Sequence, residues 1–175
     1  MAGPCACIYL PVDLNATLNK KVRSIMSDVS TRVEGDDFWV NSTLSINGNY
    51  SGDARPFFVT LNDASNELEL GDDATLFENV LGWRPRLALG LAAMCNQQQD
   101  HQILGELCCF LSRDLGGRIS MHGDFNLACR NRAARKAFYD HPDLVTVDFG
   151  DSREHLFSPD ALSAWMAHPE FRMIK

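Results

Sequence analysis

The stretch "RLALGLAAMCNQQQDHQILGELCCFLSRDLGGRIS", Arg86 to Ser120, carries the densest run of structural signals in the chain. Its first part places Leu87, Leu89 and Leu91 on one side and Ala88, Gly90 and Ala92 on the other. Both sides are apolar, which predicts a central strand, and the small side allows a helix to approach closely. Asn96 then stands where an N-cap belongs, with Gln99 three residues on as in a capping box. Gly116 and Gly117 close the far end. At about 100° per residue, Leu104, Leu107, Cys108, Leu111 and Leu115 form one helical stripe, with Cys109 on the opposite flank. "RIS" opens the next strand. The unit is strand, helix, strand.

The same stretch holds an Asp-His pair, adjacent cysteines and a second histidine, His122. These residue types serve metal sites and nucleophiles, but the spacing is poor for either. His101 and Cys108 are separated by roughly 10 Å of axial rise. Adjacent Cys108 and Cys109 point about 100° apart, an unfavourable chelate. Neither C-x-x-C nor H-x-x-x-H occurs in the chain. No thiol has a base placed beside it by sequence. The structural reading is preferred: Asp100 complements the helix N-terminus, His101 bonds a neighbouring loop, and Gly105 permits close packing. No catalytic residue, metal ligand or cofactor is expected.

Outward from this unit, "CACIYLP" reads as a short buried strand. A helix follows over Asp13–Ser30, with Asp13 as N-cap and Leu14, Leu18, Val22, Ile25, Met26 and Val29 at helical spacing. "FWVNSTLSIN" alternates, with Phe38, Val40, Leu44 and Ile46 on one face, and predicts a hairpin with "FFVTLN". "DASNELELGDD" reads as loop or edge. "ATLFENVLGW" reads as a short helix capped near Asp72 or Asp73 and ended by Gly82. "RISMHGDF" and "LVTVDF" read as strands, and "SPDALSAWMAHPEF" as a helix with Ser158 as N-cap and Pro159 first. The fold class expected is α+β, one domain over 1–175, with a mixed, largely antiparallel sheet packed by three to five helices.

Composition narrows the function. The chain has 175 residues, a net charge of -7 and 45% apolar residues. Its acidity argues against general nucleic-acid binding, which needs surplus Lys and Arg. The longest mostly apolar run, Leu87–Cys95, is about half of what a membrane span needs. The first residues lack the basic region and apolar length of a signal peptide, so a cytoplasmic protein is expected. The six cysteines, mostly in apolar segments, are expected to be free buried thiols. N-x-S/T triplets at Asn15, Asn41 and Asn49 carry no weight without export.

Charge is most uneven between Arg55 and Arg84, where there is no Lys or Arg while Asp63, Glu67, Glu69, Asp72, Asp73 and Glu78 are acidic. The plain reading is a solvated loop with helix-start acids. The functional one is a docking surface for a basic cleft. "RNRAARK" reads as a solvated helical face without a phosphate cradle. "DFGDSREH" reads as a solvated loop rather than a metal loop of Asp148, Asp151 and Glu154. Trp165 and Phe171 read as core anchors.

"AMCNQQQDHQILGELCCFLSRDLGGRISMHG" together with "AWMAHPEFRMIK" resembles an uncharacterised family of small bacterial proteins. In that family a CN-x-x-x-DH-x-x-LG helix runs into a GG-x-I strand, and the chain ends in a Trp helix and an F-[RH]-M-[VI]-K tail. About a quarter of the chain carries the resemblance: Asn96, Asp100, His101, Leu104, Gly105, Gly117, Trp165, Phe171 and Lys175 match. The turn after Gly123 departs, since "HGDFNLACRNRAARK" replaces a more apolar loop. Members of that family look like immunity proteins of interbacterial toxin systems. The resemblance implies a protein that binds a cognate toxin with a basic active-site face and occludes it, needing no cofactor, nucleic acid or membrane. The alternatives are a small cytosolic hydrolase using Asp100 and His101, or an adaptor subunit.

Overall fold

The central strand expected in "RLALGLAAM" is strand β5 of a sheet that has eight strands among the described residues. A computed structural model describes residues 3–40, 54–67, 72–125, 129 and 131–174. Along the chain the strands are β1 Cys5–Leu10, β2 Ser30–Glu34, β3 Asp37–Val40, β4 Arg55–Asp63, β5 Leu87–Ala93, β6 Arg118–Ser120, β7 Leu144–Asp148 and β8 Arg153–Phe157. The helices are α1 Ala16–Asp28, the single turn α2 Ala64–Glu67, α3 Asp72–Leu81, α4 Gln98–Leu115, α5 Arg132–Tyr139 and α6 Pro159–Met166. The sheet order is β2-β3-β4-β5-β1-β6-β8-β7. All neighbouring pairs are antiparallel. The expected α+β class holds, and among the described residues no helix is long and apolar enough to cross a membrane.

Side chains alternate across the sheet, as the strand period of two dictates. Ala6, Ile8, Leu10, Leu87, Leu89 and Leu91 enter the larger core with Val22 and Met26 of α1, Leu104, Leu107 and Leu111 of α4, and Trp165 of α6. Cys7, Tyr9 and Ala88 face the other way, into a smaller core with Phe77 of α3 and Val147 and Leu156 of the β7–β8 hairpin. Strand β5 is flanked by β1 and β4; its leucines are buried under α4, while on the small side Ala88 is buried and Gly90 and Ala92 are half-buried, so the close helix lies on the leucine side.

Several local expectations shift. The α1 N-cap is Asn15, whose Oδ1 accepts the Leu18 N–H at 2.9 Å; Asp13 instead pairs with Arg86 at 2.8 Å. The α4 N-cap is Gln97, not Asn96. Cys109 is as buried as the stripe it was set apart from, because α6 lies along that flank: its Sγ donates to the Pro159 carbonyl at 3.3 Å. α1 ends at Asp28, and "STRVE" becomes edge strand β2, turned back by Gly35 at φ 61°. β3 pairs with β4 as expected, Phe38 opposite Phe57, while Leu44 and Ile46 lie outside the described residues. "DFGDSREH" is not all loop. Asp148 caps a tight turn, accepting the Gly150 N–H at 2.8 Å, and Arg153, Glu154 and His155 continue as β8.

Candidate functional site

Asn96, Asp100, His101, Trp165 and Phe171 of the motif gather at the N-terminal half of α4, whereas Gly117 closes its far end. The N-terminal end exposes main-chain N–H groups and a positive dipole, which an acidic side chain satisfies. Asp100 does so from the first turn: its Oδ2 accepts the Gln97 N–H at 2.7 Å. Arg55 of β4 reaches the same carboxylate with both arms, Nε to Oδ1 at 2.8 Å and Nη2 to Oδ2 at 2.9 Å. The carboxylate is fully buried. Burial pushes its pKa up, but the Arg55 and Gln97 hydrogen bonds and the nearby positive charge outweigh that, leaving it below the usual carboxylate value.

His101 lies one position on and takes hold of the chain end. Its Nδ1 accepts the Met173 N–H at 3.0 Å, and its Nε2 lies 3.2 Å from Asn96 Oδ1. The neutral ring therefore carries its proton on Nε2 and donates it to the asparagine. The tail is held at three more points. Gln98 Nε2 donates to the Phe171 carbonyl at 2.8 Å, and Trp165 Nε1 to the Arg172 carbonyl at 3.2 Å. The Cys5 N–H donates to the Ile174 carbonyl at 3.3 Å. Phe171 and Met166 close over Gly105, where an added Cβ would meet Met166 Sδ at 2.8 Å and Phe171 Cζ at 3.2 Å. Asn96, His101, Gly105, Trp165 and Phe171 thus form one clamp on the C-terminal tail, beside the Asp100–Arg55 pair that fixes the start of α4. Lys175 lies outside the described residues.

The thiols on this helix are poor nucleophiles. Burial raises Cys108 well above its usual value and Cys109 to about 11. The six cysteines are free thiols; Cys7, Cys108, Cys109 and Cys129 are buried as expected, while Cys5 and Cys95 are only half-buried. Among the described residues, no three His, Cys, Asp or Glu side chains are grouped to hold a metal ion.

The acidic segment runs from the end of β4 through α2 into α3. Asp63 is exposed, and its Oδ1 accepts both the N–H and the hydroxyl of Ser65, at 2.9 and 2.6 Å. These bonds draw its pKa down. Glu78 is exposed on α3, and Asp73 is half-buried in its first turn. Glu69 and the side chains of Glu67 and Asp72 lie outside those described. Phe77 anchors α3, with its ring 5.0 Å from Tyr9 and 6.1 Å from Phe149. Phe149 belongs to the β7–β8 turn, so that turn, with its exposed Asp151, packs beside the acidic helix, while Asp148 pairs with Arg153 at 3.1 Å. The sequence kept these two segments apart.

Two polar clusters went unread in the sequence. Ser120 of β6 hydrogen-bonds Glu154 of β8 and accepts the His122 N–H at 2.9 Å. Burial raises Glu154, the Ser120 bond opposes this, and Asp73 adds to it, leaving the carboxyl above its usual value. His122 holds φ 54°, a left-handed conformation uncommon outside glycine. The second cluster surrounds His155, which is buried beneath Tyr139. Arg153–Phe157 shows no alternation in sequence or burial and follows directly on the Gly-Asp-Ser turn, so no local signal marked β8.

An antiparallel α+β sheet protein, with its most patterned residues spent on holding its own chain end, is the class this geometry defines. The chain belongs to DUF6368, a family of unknown function, whose model matches residues 2–175. No curated protein and no solved structure matches the chain.

Proposed function

We propose that this protein works by binding another protein, and that the partner is a bacterial toxin whose basic active-site face it covers, as an immunity protein does. The observation that carries the reading is the contact of Phe77 with both Tyr9 and Phe149. It seats the β7–β8 turn, with its exposed Asp151, against α3, which carries Asp73 and Glu78, on a support built around the buried Phe77 ring. A carboxylate surface on a rigid support steers a cationic cleft into place and competes with its anionic substrate.

The hydrolase alternative asks Asp100 and His101 to act on a substrate. Both Asp100 oxygens are engaged by Arg55, and His101 Nδ1 holds the Met173 N–H, so the pair already serves the fold. That favours the binding reading.

The test is co-expression of the chain with the product of the adjacent gene, followed by association kinetics on the purified pair. The expected result is a stable complex that relieves toxicity, with an association rate that falls as salt rises. Glu78→Lys and Asp151→Lys, both on exposed positions, should slow association by about tenfold in combination. A complex whose association is indifferent to salt and to both reversals overturns the acidic-face reading.

A further inference from the structure

His155 stands on β8 with 2% of its surface exposed, and two different partners compete for one of its nitrogens. Nδ1 accepts the main-chain N–H of Phe125 at 3.1 Å. The ring is therefore neutral, with its hydrogen on Nε2. The carboxylate of Asp124, the preceding residue, has Oδ1 3.9 Å from the same Nδ1. Tyr139 of α5 donates its hydroxyl to that oxygen at 3.2 Å.

Phe125 is the hub of an aromatic cluster. Its ring centroid lies 4.9 Å from Trp165, 5.6 Å from Phe138, 5.7 Å from Phe157 and 6.1 Å from Tyr139. Phe138 and Tyr139 both belong to α5, so Phe125 also helps seat that helix on α6 and β8.

We propose that His155 is a proton-operated switch: on protonation Nδ1 gives up the Phe125 N–H, donates to the Asp124 carboxylate, and unseats Phe125 from the rings around Trp165. The geometry dictates the exchange. A proton on Nδ1 would face the Phe125 N–H, donor against donor, across a buried 3.1 Å contact. An acceptor waits less than 1 Å beyond hydrogen-bond reach, one residue earlier in the chain. Taking it turns the Asp124–Phe125 peptide and draws Asp124 from Tyr139.

The charged and titratable groups facing the ring are Asp124 from the turn, Tyr139 from α5 and Arg153 from β8 itself, with Arg135 of α5 acting on Tyr139 behind it. Burial disfavours the cation most. The Asp124 charge and the Gly123 carbonyl favour it, and Arg153 opposes it. The balance leaves His155 below the usual imidazole value, so the switch is closed at neutral pH and opens on mild acidification.

The test is a pH titration of the full chain from about pH 7.5 to about pH 5, following the His155 ring and the Phe125 amide by NMR and Trp165 by emission in a Trp39→Phe/Trp83→Phe background. The expected result is one shared midpoint below about 6.5 for all three signals. His155→Asn keeps an oxygen near the place of Nδ1 but does not titrate, and should abolish the Trp165 transition. Asp124→Asn removes the waiting anion and should lower the midpoint by about one unit. A Phe125 amide that stays fixed while His155 titrates overturns the proposal. So does an unchanged acid transition in folded His155→Asn. If that variant does not fold, the wild-type NMR titration decides alone.

Discussion

His101 Nδ1 accepts the main-chain N–H of Met173 at 3.0 Å, across 72 positions of sequence. A buried N–H left without an acceptor costs about 1–3 kcal/mol. His101→Ala removes the acceptor and leaves a gap at a buried position, so it should cost at least that much. The tail should then fray. Urea unfolding gives the first quantity, and faster release of C-terminal residues by a carboxypeptidase under native conditions gives the second. Equal release from wild type and His101→Ala would mean the tail is held without the histidine. Asn96→Ala, which touches only the outer nitrogen, should cost about 1 kcal/mol.

The two glycines that end α4 should fail for different reasons. Gly116 is the C-cap at φ 77°, with open space where a side chain would go. Gly116→Ala should cost about 1–2 kcal/mol, all of it backbone strain. Gly117 has an ordinary φ, but an added Cβ would lie 2.7 Å from the Tyr9 carbonyl oxygen and 2.6 Å from Ile8 Cγ2. A main-chain oxygen in β1, which is paired on both sides by β5 and β6, cannot yield. Gly117→Ala should therefore cost more, about 3 kcal/mol. Gly116→Asn should recover part of the first loss, whereas no side chain should rescue the second. Thermal unfolding of the three variants checks the order.

Cys108 and Cys109 offer a matched pair. Cys108 is fully buried with no hydrogen-bond partner among the described residues, and serine there should cost about 1–3 kcal/mol. Cys109 already has the Pro159 carbonyl at 3.3 Å and the Ser163 hydroxyl at 3.6 Å. A serine hydroxyl inherits both, so Cys109→Ser should cost less than about 1 kcal/mol. Denaturant midpoints that put Cys109→Ser below Cys108→Ser would contradict the packing described here.

What the sequence showed follows the range of the forces involved. The β5–α4–β6 unit, the Ser158-Pro159 helix start and the Gly82 stop rest on neighbours in sequence, and they stand in the structure. Caps slipped by one or two residues, because Asp13 against Asn15, or Asn96 against Gln97, is decided by where the preceding chain is tethered. Asp13 is drawn off by Arg86, and Asn96 by His101. Strands β2 and β8 were hidden for a related reason. An exposed edge carries no apolar alternation, and β8 follows directly on a turn. The start of α4 was half legible. The Asp-His pair could be placed at the helix start, but Arg55 lies 45 positions before Asp100. Such a partner has no local signature. The acidic segment was visible as composition; its alignment with the Asp148–Asp151 turn depends on Phe77 meeting Phe149 across the fold.

The Asp100–Arg55 pair should give the two single variants opposite pH trends. Folding holds Asp100 below its unfolded value, near 3.9. Such a group contributes stability that is present above the unfolded pKa and is lost as pH falls through it. Asp100→Asn removes that contribution and sets an amide against the guanidinium. It should cost roughly 3 kcal/mol near neutrality, and the deficit against wild type should narrow as pH falls below about 4. Arg55→Met leaves Asp100 buried without its counter-charge, which reverses the sign. The carboxylate is then raised by burial, and its penalty is relieved as it gains a proton, so this variant should recover relative to wild type in mild acid, from about pH 6 downward. The double variant Arg55→Met/Asp100→Leu has neither charge to bury. It should recover much of the loss of either single change while losing only the Gln97 cap. Urea midpoints for all four chains at about pH 7 and about pH 4 measure this directly. Parallel pH trends for Asp100→Asn and Arg55→Met would show that the pair is not the ionic contact its geometry describes.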